Sequence, residues 1–130
     1  MPNGLALIQH RLTKLWDEGV VAGRITRSQL VDRTSTTIAR RFGLHDKGAL
    51  APGKDADVVV LDPQAPRPYG RATSLMNVDY DLYEGQTASA SVRHTFSRGT
   101  LVYDRGEIRT EPGHGRYVPR RIGAPVQVPA

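Results

Sequence analysis

The sequence predicts an α+β fold, with helices first and strands after them. Three observations carry this. Apolar residues recur at helical steps between Leu5 and Trp16. A β-branched run, Val58 to Leu61, stands between a Pro-Gly turn and a second proline. An alternating stretch, Ser91 to Ser97, is followed by two glycine-bearing turns. Helical periodicity before Lys47 and strand periodicity after it argue against a doubly wound sheet, and for α+β or pieces of two domains.

Residues 5 to 22 are the first expected helix. Leu5, Ile8, Leu12, Leu15 and Trp16 share one face, with Arg11, Lys14, Asp17 and Glu18 between them. Gly19 and Gly23 weaken or end it. Thr26-Arg27-Ser28-Gln29 fits a capping box and opens a short helix through Leu30, Val31 and Asp32. Ser35 or Thr36 is expected to cap a third helix carrying Ile38, Ala39 and Phe42. Gly43 then stands where a left-handed C-cap glycine belongs, with Leu44 as its apolar partner.

The strands follow. Pro52-Gly53 is a turn dipeptide feeding Val58 to Leu61, a strand expected to be buried and closed by Asp62-Pro63. Residues 62 to 87 are expected to be irregular, an unusual length for so small a chain. In Ser91 to Ser97, Val92, His94 and Phe96 are expected on one face, with Arg93 and Thr95 on the other. Arg98-Gly99 turns the chain. Thr100 to Tyr103 and Glu107 to Arg109 then flank Asp104-Arg105-Gly106, a hairpin loop. From Glu111 onward Gly, Pro and Arg dominate, with little capacity for a core. The whole makes a thin core, and the sheet would want a partner sheet. On these grounds the chain reads as incomplete.

Composition narrows the function. The 130 residues are 38% hydrophobic and 24% charged, with no cysteine. Disulfides and thiolate metal sites are therefore excluded, and the expected compartment is the cytoplasm. No apolar stretch is long enough to span a bilayer, so no membrane partner is expected. The net charge is +5, but the basic residues are scattered. The one dense group, Arg116 with Arg120-Arg121, lies in the Pro/Gly-rich tail, and no nucleic-acid partner is expected.

Few residues suggest chemistry. Asp55 and Asp57 flank Ala56 at a strand entrance and are read as a solvated turn ahead of a metal or acid/base pair. His10, expected at the surface of the first helix, His45, His94 and His114 show no metal-ligand spacing. His94 reads as a packed strand residue. No nucleophile elbow or phosphate loop is present. The densest polar and aromatic cluster is Asn77-Val78-Asp79-Tyr80-Asp81-Leu82-Tyr83-Glu84-Gly85. Tyr80 and Tyr83 are read there as buried rings with hydroxyls on backbone partners, ahead of ligand contacts.

Several of these segments together resemble the C-terminal portion of a dihydropyrimidinase or hydantoinase, the cyclic-amide branch of the amidohydrolase superfamily. They include Asn3-Gly4, Leu15-Trp16-Asp17-Glu18-Gly19-Val20, Gly23-Arg24-Ile25 and Phe42-Gly43-Leu44. Pro52-Gly53-Lys54-Asp55-Ala56-Asp57 before the valine run is shared widely in that superfamily. Asn77-Val78-Asp79-Tyr80 with Tyr83-Glu84-Gly85 is narrower and points to this branch. Ser97-Arg98-Gly99 and Gly113-His114-Gly115-Arg116-Tyr117 continue the resemblance through nearly the whole chain.

The resemblance implies that residues 1–46 are closing helices of a (β/α)₈ barrel. Residues 47–110 would be the C-terminal part of a small β-sandwich with the insertion 62–87, and residues 111–130 an extended basic tail. A full-length relative would hold two divalent metals, usually zinc, bridged by a carboxylated lysine, and would hydrolyse a cyclic amide C–N bond. No position of this chain matches a metal ligand, so no metal is expected on it and no catalytic residue is assigned. Asn3 matches a substrate-binding asparagine whose backbone contacts the ring amide. The implied partners are the missing barrel, the N-terminal β-strands and further copies of the parent, as a dimer or tetramer. The leading expectation is a C-terminal fragment of a cyclic-amide hydrolase, not catalytic alone. The alternative is a structural or assembly module pairing with a separately encoded barrel half.

Overall fold

The computed structural model describes residues 4–121. The first helical run opens as a 3-10 turn at Ile8–His10, continues as α1 (Arg11–Leu15) and widens into a π-type turn at Trp16–Val21. Gly23, at φ 71°, ends it. Its N–H reaches the Val20 carbonyl and that of Arg24 reaches Gly19, which satisfies carbonyls the helix end leaves open.

The second run starts at Thr26. The Thr26 hydroxyl accepts from the Gln29 N–H, and the Gln29 side chain accepts from the Thr26 N–H, so the expected capping box forms. From there α2 (Arg27–Val31) passes through a π-type turn at Asp32–Thr36 into α3 (Thr37–Arg41) without a break. The expected cap at Ser35 or Thr36 is therefore corrected. Thr36 is helical, at φ −60° and ψ −52°, and caps nothing. Its hydroxyl donates to the Gly48 carbonyl at 2.7 Å, outside the helix. Thr34 donates to the Leu30 carbonyl one turn back at 2.8 Å. Such back-bonding bends a helix without ending it. The end comes at Gly43 (φ 66°), where Gly43 N–H reaches Arg40 O and Leu44 N–H reaches Ala39 O.

The strands are β1 (Val58–Asp62), β2 (Arg67–Pro68), β3 (Thr87–Ala88), β4 (Ser91–Ser97), β5 (Thr100–Asp104) and β6 (Glu107–Ile108). One antiparallel sheet has the order β1-β4-β5-β6, and β2 pairs β3 in a short second ladder. The stretch 62–87 is thus irregular over most of its length but holds β2, a 3-10 turn at Arg71–Thr73 and the start of β3.

Two expectations for the sheet are corrected. The register on β1 runs Val60↔His94 and then Leu61↔Val92, so Arg93 bulges out. A bulge inserts one residue and flips the alternation beyond it. His94 and Phe96 keep their ring contact, with centroids 6.3 Å apart. Val92 instead lines one cavity with Thr95 and Tyr103. The second correction concerns β1, which is an edge strand and not a buried one. Val59 and Val60 remain 50% and 38% exposed, because β1 pairs only β4 among the described residues.

Helices and sheet meet at Trp16, Leu30 and Ala90, with Leu12, Val20, Ile25 and Leu61 packed around them. Beyond that cluster, Ile8, Val31, Phe42 and Leu50 lie exposed. The tail returns toward the helices. The Arg98 guanidinium donates to the His114 carbonyl at 2.6 Å, and the Arg121 N–H reaches the Gly43 carbonyl at 3.0 Å.

Gly43 serves both the helix end and the tail. A Cβ there would stand 2.4 Å from the Arg121 carbonyl oxygen, on a left-handed backbone. Gly43→Ala is expected to cost about 1–3 kcal/mol. A lowered urea midpoint at unchanged slope would show it, and an unchanged midpoint would refute it.

Candidate functional site

His10, Thr13, Lys14 and Asp17 fall three, four and seven residues apart, so the first helical run presents them on one face. The segment from Tyr69 to Ser89 docks on that face. His10 Nε2 lies 2.8 Å from Asp81 Oδ2, with side chains 4% and 0% exposed. The Tyr69 hydroxyl donates to Thr13 Oγ1 at 2.9 Å, and Thr13 donates to the His10 carbonyl at 3.1 Å. Lys14 Nζ donates to Gln86 Oε1 at 2.8 Å and stands 4.2 Å over the Tyr83 ring. The Asp17 carboxylate accepts from the Ser89 N–H and hydroxyl. Around the pair, Tyr69 meets the His10 ring edge-on at 4.7 Å and Tyr83 does so at 5.8 Å.

His10 is therefore not the surface residue expected. Its neighbour pattern in the helix carries no sign of a partner 71 positions away. The signal that marks the partner is the polar and aromatic cluster at 77–85, which supplies Asp81 and Tyr83, while Tyr69 comes from outside it. Burial pushes the Asp81 carboxyl up. The Tyr83 N–H, the His10 ring and the Gly70 N–H outweigh it and hold the group below the usual carboxylate range. Burial also pushes the Tyr69 hydroxyl above its ordinary value, against the Thr13 contact.

The same segment braces the residues just after Asn3. Tyr80 OH accepts from the Ala6 N–H at 3.2 Å, the backbone partner expected of it. Gln9 donates to the Thr73 carbonyl at 3.2 Å and accepts from the Leu75 N–H at 2.7 Å. Asn3 itself lies outside the described residues.

Asp55 and Asp57 form a turn staple. Both carboxylates pair with Lys47 Nζ, at 2.7 and 2.5 Å, and Asp57 also accepts from the Arg98 N–H at 2.8 Å. Burial opposes the charges, but the pairing wins. Asp57 titrates below its ordinary value and Lys47 above its own. The staple thus holds through neutral pH. It is lost as pH falls through the depressed carboxyl or rises through the raised ammonium.

The other histidines are held in separate places. His94 Nε2 lies 3.2 Å from Asp104 Oδ1, His45 Nε2 is 3.1 Å from the Arg121 carbonyl, and His114 stands against Arg98. Among the described residues no group of three or more His, Cys, Asp or Glu is placed to hold a metal ion. His10 and Asp81 spend their facing atoms on each other. The donors present do not fit the bridged two-metal centre that the resemblance implies.

Residues 5–102 match the model of the amidohydrolase family. The chain belongs to the amidohydrolase family. Within the family it is 35% identical, over 122 residues, to the dihydropyrimidinase of Rattus norvegicus, covering 93% of this chain and 24% of that protein. It is 41% identical, over 121 residues, to the D-hydantoinase of Streptomyces coelicolor, covering 92% of this chain and 26% of that one. The crystal structure of dihydropyrimidinase from Brevibacillus agri superposes with a TM-score of 0.88 at 42% identity, over 92% of this chain and 26% of the other. The chain spans about a quarter of the length of the curated relatives it matches. The amidohydrolase match takes in the whole docked face, from His10 to Ser89, and stops inside β5.

Asp81→Asn keeps the shape of this joint and removes its charge. It is expected to cost about 1.5–3 kcal/mol near neutral pH, the scale of a buried hydrogen bond to a charged group. The folded Asp81 titrates below its unfolded value. Its contribution is therefore present above the ordinary carboxylate pKa and is lost as pH falls through the depressed one. Urea midpoints of the two proteins should differ at pH 7 and converge toward pH 3. A gap that persists in acid would overturn this account.

Proposed function

We propose that the chain is the C-terminal portion of a metal-dependent cyclic-amide hydrolase. The type is dihydropyrimidinase or hydantoinase, and the whole enzyme opens a dihydropyrimidine or hydantoin ring by hydrolysis. The observation that carries this reading is the superposition of nearly the whole chain on part of a dihydropyrimidinase. On this reading residues 1–46 close a barrel, 47–110 complete a β-sandwich, and 111–130 are a surface tail. The zinc ions sit on residues of the barrel outside this chain. Asn3 contributes a backbone contact to the ring amide. The exposed side chains of Ile8, Val31, Phe42 and Val59 face that barrel and the N-terminal strands. The parent is a cytoplasmic homo-oligomer. No helix among the described residues is long and apolar enough to cross a membrane.

What this chain itself contributes is scaffold. Its His10–Asp81 joint fixes the stretch that follows Asn3, and its staple at Lys47 fixes the entry to β1. The same exposed apolar side chains suit a second reading, an assembly module that pairs with a separately encoded barrel half. An upstream neighbouring reading frame encoding a barrel with a His-x-His pair would distinguish it.

The purified chain, supplied with zinc, is expected to leave dihydrouracil and hydantoin unopened. Ring-opening that requires added zinc would show a complete catalytic site on this chain and overturn the proposal.

A further inference from the structure

Beside the His10 joint, between the β2–β3 ladder and the sheet, lies a cavity of about 390 Å³. That is the small end of the range for ligand cavities, roughly 300–1,000 Å³. Leu75, Ala90, Val92, Val102 and Ile108 make its walls largely apolar. One cation enters it. Arg67, on β2, is half-buried, and its guanidinium donates to Tyr103 OH at 3.1 Å and to the Thr73 carbonyl at 3.2 Å. Both acceptors are neutral. Among the described residues no carboxylate pairs with Arg67, while Asp81 and Asp104 are each paired with a histidine.

From this geometry we infer that the cavity is a binding site for a small organic carboxylate with an apolar body. A guanidinium has five N–H donors, and two of them are spent here on holding the fork in place. The remaining donors suit the planar, two-oxygen geometry of a carboxylate. A cation drawn partly out of water without a counter-charge is unfavourable, and an incoming anion relieves that. Tyr103 OH accepts from Arg67, so its own proton is free to donate to the same anion. The aliphatic walls then take the rest of the ligand. This site is separate from the catalytic reading above and does not depend on it.

The test uses the isotopically labelled chain with 3-phenylpropanoate, its neutral amide 3-phenylpropanamide, and inorganic phosphate. The acid is expected to shift the signals of Arg67, Val92 and Val102. It should bind at least about tenfold more tightly than the amide, the scale of one charge-assisted contact. Arg67→Gln should bring the acid down to the level of the amide. The acid-to-amide ratio in the unaltered chain stands on its own if that variant misfolds. Equal binding of acid and amide would mean an apolar groove without anion recognition. Phosphate binding as strongly as the acid would mean a bare cation. No shift at these residues would mean no site. Each of these three results overturns the inference, and none of them touches the turnover test of the hydrolase reading.

Discussion

A carboxylate with no exposed surface is tolerable only where its charge is answered on the spot. Asp81 meets that condition through the His10 ring and the Tyr83 N–H. The consequence reaches well beyond one pair. Residues 62–90 have almost no regular structure of their own, and ordering a chain that long is costly in entropy. Most of the offsetting side-chain contacts land on one face of one helical run, with Arg67 on Tyr103 and Tyr80 on the Ala6 N–H outside it. Gln9, His10, Thr13 and Asp17 each hold a different point of the segment, from Tyr69 to Ser89. The tyrosine rings on either side keep water from the pair, which makes the hydrogen bond between His10 and Asp81 matter more.

This polar joint also sets the apolar one. Ser89 is held by Asp17, and Ala90 directly after it enters the cluster with Trp16 and Leu30. Since Trp16 and Asp17 are adjacent, the helix offers a hydrophobic contact and a hydrogen-bond acceptor to adjacent residues of the incoming strand. That fixes where β4 begins. The bulge at Arg93 follows within three residues and turns Val92 toward the cavity, while His94 keeps to the other face with Phe96. The placement of the Arg67 cavity is thus a result of how the segment is anchored.

What could be read from the residues alone follows the range of the interaction. The capping box at Thr26, the left-handed glycine at Gly43 and the strands expected at 58–61, 91–97 and 100–103 are decided within a few positions. They formed as expected. The joint between His10 and Asp81 is decided across 71 positions, and periodicity around His10 points only to a polar helix face. Thr36 was open to two local outcomes, cap or helix interior. Its bond to the Gly48 carbonyl, a tertiary contact, goes with the helical one. The burial of β1 depends on what lies along its free edge, which no residue within β1 can encode.

Polar and apolar interactions in this chain are completed to different degrees. The buried side chains of His10, Thr13, Tyr69 and Asp81 find their partners inside the chain. Many large apolar side chains outside the Trp16–Leu30 cluster do not, with Ile8 71% and Leu50 77% exposed. Exposed apolar area of this kind is a feature of surfaces that meet another surface. A hydrogen bond needs its partner at a set distance and angle, so a joint that must be accurate is best carried within one piece of chain. Hydrophobic contact is non-directional and can be shared with whatever packs alongside. A segment built in this way keeps its own geometry while leaving its core to be finished by a neighbour, which is what the proposed reading asks of it.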